Sequence, residues 1–198
     1  MWLINQNANR ESWQVRRRKQ QVQKRLIWSG SLILAGGLIL LATWNSYRPP
    51  IGQSYPIMDS EHLPGEIRPP AYNSNPPTSG PHYDQGLNPG FYDQSDLPDL
   101  PYFPEAAAVK NMEEGYIVFW YNCELVDENS CEELKDDIRF LISDSAYAKL
   151  VALPWDTTDV PLVLTSWGYL LEMESFKGGD VINFIHSNWR HAPEATAP

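Results

Sequence analysis

The chain has 198 residues, with 15 Lys/Arg against 25 Asp/Glu and a formal net charge of −10. That charge is divided: residues 1–25 carry seven Lys/Arg and one acid, while residues 45–198 carry eight Lys/Arg and 24 acids. The larger part lacks the basic footprint that grips a phosphate backbone, which excludes nucleic acid as a partner; its acidic surface reads as a solvated face that favours solubility.

In chain order, residues 1–25 form a basic tail, and the first predicted element is an apolar run from Leu26 to Trp44 (LIWSGSLILAGGLILLATW), 19 residues without a charge. At about 1.5 Å per residue it nearly matches the roughly 30 Å hydrocarbon thickness of a bilayer. Arg10, Arg16, Arg17, Arg18, Lys19, Lys24 and Arg25 precede it, against Glu11 alone. Basic flanks stay on the cytoplasmic side, so the N-terminus is expected inside and the C-terminal part on the extracytoplasmic face, periplasmic or extracellular. Trp28 and Trp44 stand at the two ends, where indole rings favour the interface. A cleaved signal peptide is the competing reading. Its apolar region would be shorter, about 7–15 residues, and Ala42-Thr43-Trp44-Asn45 is a poor cleavage site. Gly30, Ser31, Ala35, Gly36 and Gly37 offer small surfaces for close helix packing, unless the helix merely faces lipid. The RRRKQQVQKR run at 16–25 sets topology and can also touch anionic headgroups.

Residues 45–70 read as a Pro-rich tether, and proline pairs recur at Pro49-Pro50, Pro69-Pro70 and Pro76-Pro77. Proline fixes φ and removes a donor, so neither regular helix nor central strand is expected there. Yet Tyr47, Tyr55, Tyr72, Tyr83, Phe91, Tyr92, Tyr102 and Phe103 are interleaved with the prolines. A free linker has few aromatics. The segment to about residue 104 is therefore expected to be an ordered, irregular strap, packed on the domain or on a neighbouring protein.

From about residue 105 the pattern becomes regular. Tyr116 to Tyr121 is a β-branched and aromatic run that predicts a buried strand. Cys131 to Ser143 predicts a helix with Leu134, Ile138, Leu141 and Ile142 on one face, Ser130 as its cap and Glu132 and Glu133 in its first turn. Lys149 to Leu153 predicts a strand, Leu162 to Met173 contains a third strand interrupted or bulged near Gly168, and Gly179 to Trp189 predicts a last helix. The expected fold is an α/β (α+β) two-layer domain, β-α-β-β-α with a small mixed sheet, preceded by the strap and one N-terminal transmembrane helix.

Several motifs in this part agree with one family. The run Tyr72-Asn-Ser-Asn-Pro-Pro-Thr-Ser-Gly-Pro-His82-Tyr83 is followed by Gly90-Phe-Tyr, Val109-Lys-Asn-Met-Glu-Glu-Gly115, Thr165-Ser-Trp-Gly168 and Ala192-Pro-Glu194. Over about residues 70–195 the chain resembles the DUF3105 family, membrane-anchored proteins of unknown function, which places the domain at 71–195. The resemblance implies no activity. The family's central motif resembles H-N-x-E-H-G, and here those positions read Lys110-Asn111-Met112-Glu113-Glu114-Gly115, with both histidines replaced. If the family histidines gather around a metal, a lysine ammonium in their place opposes it. His82, Glu113 and Glu114 remain weak candidates for a divalent ion. The alternative has His82 bonding backbone in its proline-rich turn and the two acids serving Lys110 or a loop. No metal and no cofactor is assigned.

Cys123 and Cys131 lie eight apart. Outside a membrane such a pair most simply forms one disulfide. A redox pair is usually C-x-x-C at a helix start, so redox or metal roles and free thiols stay open as alternatives. There is no G-x-S-x-G, P-loop, G-x-G-x-x-G or H-E-x-x-H motif. His62, His186 and His191 are scattered, and no catalytic residues are assigned. The expected function is a non-enzymatic, single-pass, membrane-anchored accessory subunit or binding module. It would meet integral membrane subunits through its helix and aromatic strap, with the lipid bilayer around the helix. The alternative is an extracytoplasmic metal- or redox-handling domain.

Overall fold

The computed structural model describes residues 28, 30, 33–38, 49–144 and 147–197. The chain divides into two compact units, Met1–Arg48 and Pro49–Pro198. In the first unit the described residues are helical, and Trp28, Ile33, Leu34 and Leu38 are exposed. The basic tail, Trp44, Tyr47 and much of the 26–44 run lie outside the described residues. Among the described residues no helix is long and apolar enough to cross a membrane.

The second unit is a mixed α+β domain around a six-stranded sheet. Four short strands come first: β1 (Gln53–Ser54), β2 (His62–Leu63), β3 (His82–Tyr83) and β4 (Gly90–Phe91). They are followed by helix α1 (Pro104–Glu113), strand β5 (Ile117–Tyr121), helix α2 (Glu128–Ser143), strands β6 (Leu150–Pro154), β7 (Leu162–Ser166) and β8 (Tyr169–Met173), and helix α3 (Gly178–Asn188). The sheet order is β1-β8-β7-β5-β6-β4, while β2 and β3 form a separate parallel pair. Parallel β5 and β6 are joined through α2, and β5, β7 and β8 run antiparallel in turn. Both edges of the sheet end on two-residue strands, which leaves little backbone free to pair with another chain.

The central strands read as near-continuous apolar runs because the sheet is covered on both faces. Val118, Trp120, Val151, Leu153 and Val163 point to one side, against Ala106, Ala107, Val109 and Met112 of α1 and Tyr83 and Leu87 of the strap. Their neighbours Ile117, Phe119, Leu150, Ala152, Leu162 and Leu164 point to the other, against Leu134, Ile138 and Leu141 of α2 and Val181, Phe184 and Ile185 of α3. This is the period-two alternation of a strand, apolar in both directions. The domain therefore has three layers, and the expected two-layer arrangement is corrected.

The missing layer is α1. It is buried from Ala106 through Glu113, including Lys110, Asn111 and Glu113, so it carries no polar face to give it a helical period. Pro104 at its start is the local signal that was there to use. Residues 162–173 are interrupted near Gly168, as expected, but they form a hairpin of two strands rather than a single strand. Ser166 pairs with Tyr169, and Gly168 has φ +76°, the left-handed conformation required at the second central position of a type II turn. A Cβ there would lie 2.5 Å from Ile57 Cδ1. Helix α2 also begins earlier than its expected start at Cys131. Its cap is Asp127, which accepts from the Asn129 and Ser130 amides at 3.1 Å, while Ser130 Oγ donates to Asp127 at 2.7 Å.

The strap is woven into this unit. Tyr55, Tyr72, Tyr92 and Phe103 pack against the α1-side core, and Phe91 stacks on Tyr121 with centroids 5.2 Å apart. Asparagines hold its backbone. Asn188 Oδ1 accepts from the Ile51 amide and its Nδ2 donates to the Ile51 carbonyl, both at 2.9 Å. Asn111 does the same for Leu87, accepting at 2.7 Å and donating at 2.8 Å. Residues 49–70, read from sequence as tether, thus contribute β1 and β2.

Candidate functional site

The residues of interest gather where the β2–β3 pair meets the C-terminal end of α1. His62 and His82 are register partners in the parallel ladder, which sets their side chains on the same side of the pair. Their rings lie 4.9 Å apart, centroid to centroid. From α1 comes Glu113: His82 Nε2 lies 2.9 Å from its Oε2 and His62 Nε2 lies 3.9 Å from the same atom. One ligand atom from each of His62, His82 and Glu113 lies within 4.8 Å of the others.

Each imidazole is oriented by its other nitrogen. His82 Nδ1 is 2.8 Å from the Gly80 carbonyl, which only accepts, so the proton belongs on Nδ1. His62 Nδ1 is 2.8 Å from Asp84 Oδ1, a carboxylate that fixes the same tautomer. His82 is fully buried, and its Nε2 has no hydrogen-bond partner. His62 is half exposed, so the cluster opens to solvent on that side.

A lysine is built into the same corner. Lys110 Nζ, one helical turn before Glu113, donates to Glu113 Oε2 at 3.0 Å and to Glu194 Oε2. Burial opposes its charge, but the bonds from Glu194 and Glu113 outweigh it and hold the ammonium's pKa well above its ordinary value. In return Lys110 draws the Glu194 carboxyl below the usual range. Glu114 Oε1 is 3.5 Å from Lys110 Nζ and does not join the histidines. Of the three residues expected from sequence, His82 and Glu113 come together, and His62 takes the place given to Glu114. Nothing local marks His62, which sits 20 residues upstream of His82 in the proline-rich strap; the parallel pairing alone recruits it.

The rest of the Lys110–Gly115 motif terminates α1. The Gly115 amide donates to Met112 O and the Tyr116 amide to Asn111 O, both at 3.0 Å, the paired bonds of a Schellman cap. Gly115 has φ +86°, and a Cβ on it would meet Arg190 Cα at 2.8 Å. Close beside it, Lys149 Nζ donates to Glu114 O at 2.9 Å and Ala197 O at 2.6 Å. The motif is thus a helix terminus that receives the C-terminal segment, with the Glu194 amide donating to Glu113 O at 2.9 Å.

A family model described as "Protein of unknown function (DUF3105)" matches residues 66–198. The chain belongs to the DUF3105 family. Neither a curated protein nor a solved structure matches it. Within this DUF3105 domain, Cys123 and Cys131 are joined, with Cα atoms 5.3 Å apart, and the bond ties a 3₁₀ turn at Cys123–Leu125 to the first turn of α2. His186 lies 3.3 Å from the Tyr147 hydroxyl, and His191 is exposed just beyond the end of α3. The small residues Gly30, Ala35, Gly36 and Gly37 are helical, and nothing lies within 4 Å of a Cβ built on any of the three glycines.

Proposed function

We propose that this protein is a non-enzymatic accessory subunit or binding module, anchored by a single helix over residues 26–44 and displaying its DUF3105 domain outside the membrane. The observation that carries the reading is the helix of the first unit. Among the described residues Trp28, Ile33, Leu34 and Leu38 are 71%, 77%, 67% and 59% exposed, and large apolar side chains so exposed on a helix belong in lipid or against another apolar surface. The basic residues before it orient it N-in. The Cys123–Cys131 disulfide suits the oxidising side of a membrane.

The second unit's buried asparagines and its Lys110–Glu113–Glu194 network hold the strap and the C-terminal segment in place. The small surfaces of Gly36 and Gly37 are the place on the helix where a second helix approaches closely. The test is purification of the full chain from membranes in mild detergent, beside the Gly36→Leu variant. The reading expects partner subunits in fixed stoichiometry with the wild type and their loss from the variant, with the domain still folded. A chain that elutes alone in both cases contradicts it.

A further inference from the structure

The geometry points to a divalent transition-metal site at His62, His82 and Glu113, with Zn²⁺ as the best-suited class of ion. Three observations carry this inference, and none depends on membrane anchoring. The first is the donor set. Two imidazoles and a carboxylate suit Zn²⁺ and its neighbours rather than Mg²⁺ or Ca²⁺, and three protein ligands leave one position open. A tetrahedral ion with bonds of about 2.0–2.1 Å holds its ligand atoms about 3.3 Å apart. The separations to Glu113 Oε2, 2.9 Å from His82 Nε2 and 3.9 Å from His62 Nε2, lie on either side of that value, and the three ligand atoms all lie within 4.8 Å of one another, so the two histidines close on the ion as it binds.

The second observation is the orphaned nitrogen. His82 is 0% exposed and its Nε2 has no hydrogen-bond partner. With Nδ1 committed to the Gly80 carbonyl, the neutral ring places a lone pair 2.9 Å from a carboxylate oxygen. Two acceptors at that distance repel unless a cation joins them, either a second proton on the ring or a metal ion. The nitrogen touches the carboxylate without a well-aligned hydrogen bond to it, a geometry that a bridging cation satisfies.

The third observation is the outer arrangement. Asp84 Oδ1, 2.8 Å from His62 Nδ1, and the Gly80 carbonyl on His82 are the supports that metal-bound histidines ordinarily have: each fixes the tautomer and leaves Nε2 as the ligand atom. Glu113 is the last residue of α1, where the negative end of the helix dipole favours a cation. Lys110 acts against the ion, since its ammonium lies 3.0 Å from the same Glu113 oxygen. The site is therefore weaker than its donors alone would make it, and removing that charge tightens it.

The test uses the full chain in mild detergent, stripped with a chelator and titrated with Co²⁺ alone and then Zn²⁺ alone. One Co²⁺ per chain with the intense visible bands of four-coordinate cobalt, displaced by Zn²⁺, is the expected result. His62→Ala, which alters a half-exposed side chain, weakens binding at least tenfold, and Lys110→Met strengthens it about tenfold. His82→Ala abolishes binding, and should that variant fail to fold, the His62 and Lys110 variants still decide the matter. Absence of stoichiometric Co²⁺ or Zn²⁺ binding, or binding untouched by His62→Ala, overturns the proposal.

Discussion

Asn111 shows what single residues do in this domain. Inside a buried helix it presents an amide edge to Leu87 and completes both of that residue's backbone bonds. Asn111→Ala leaves a buried donor and a buried acceptor unpaired, at about 1–3 kcal/mol for such groups. Denaturant unfolding of the variant is expected to show a loss of about 2–4 kcal/mol, and an unchanged midpoint would mean that the clamp contributes nothing. Gly115 makes a similar prediction by another route. Gly115→Ala meets both a positive φ of +86° and the Arg190 backbone at 2.8 Å, so a loss of about 1–3 kcal/mol is expected in the same measurement. The sequence marked Asn111 and Gly115 as motif positions without revealing their work. Their partners, Leu87 and Arg190, are distant in the chain, and only the folded strap and C-terminal segment bring them near. His62 was illegible for the same reason, because its partner across the ladder is chosen by tertiary pairing.

Among elements, legibility followed periodicity. Strands β5, β6 and β7 and helices α2 and α3 were readable because their apolar residues recur with a strand or helix period. Helix α1 was hidden by complete burial. The β7–β8 hairpin was missed because Thr165-Ser-Trp-Gly168 carries a bulky tryptophan where a turn signal normally has a small polar residue. The disulfide belongs to this scale too. It closes a short loop between β5 and α2, with a sequence separation of 8, which is worth about 2–3 kcal/mol in the chain-entropy view. Replacing both cysteines by serine should lower stability by about that amount while α2, capped independently by Asp127, keeps its helical signal. Loss of all structure on reduction would assign the bridge a larger role.

For the whole molecule, charge and topology set the expectations. Asp93 is held below its ordinary pKa: burial opposes this, but the Gln94 amide, Lys135 and Arg139 prevail. Asp127 is lowered by Ser130, and Glu194 by Lys110. A carboxyl whose folded pKa is depressed stabilises fully above its unfolded pKa and loses that contribution as pH falls through the folded value. The ordinary values here are 3.8 for Asp and 4.5 for Glu, so stability should fall as pH drops below about 4.5. Glu105, raised by burial, works in the opposite sense. Glu194→Gln is expected to flatten part of this acid limb in thermal unfolding across pH; a parallel curve would show that the Lys110 pairing adds nothing.

The proposed function rests on one claim, that residues 26–44 anchor the chain and leave the DUF3105 domain on the outer face. The most direct measurement is protease treatment of intact cells, with membranes from the same cells washed in alkaline carbonate. The account predicts that the chain stays in the washed membranes and that external protease removes the domain while sparing the basic N-terminal tail. A chain released by carbonate, or a domain protected until the cells are opened, would contradict it.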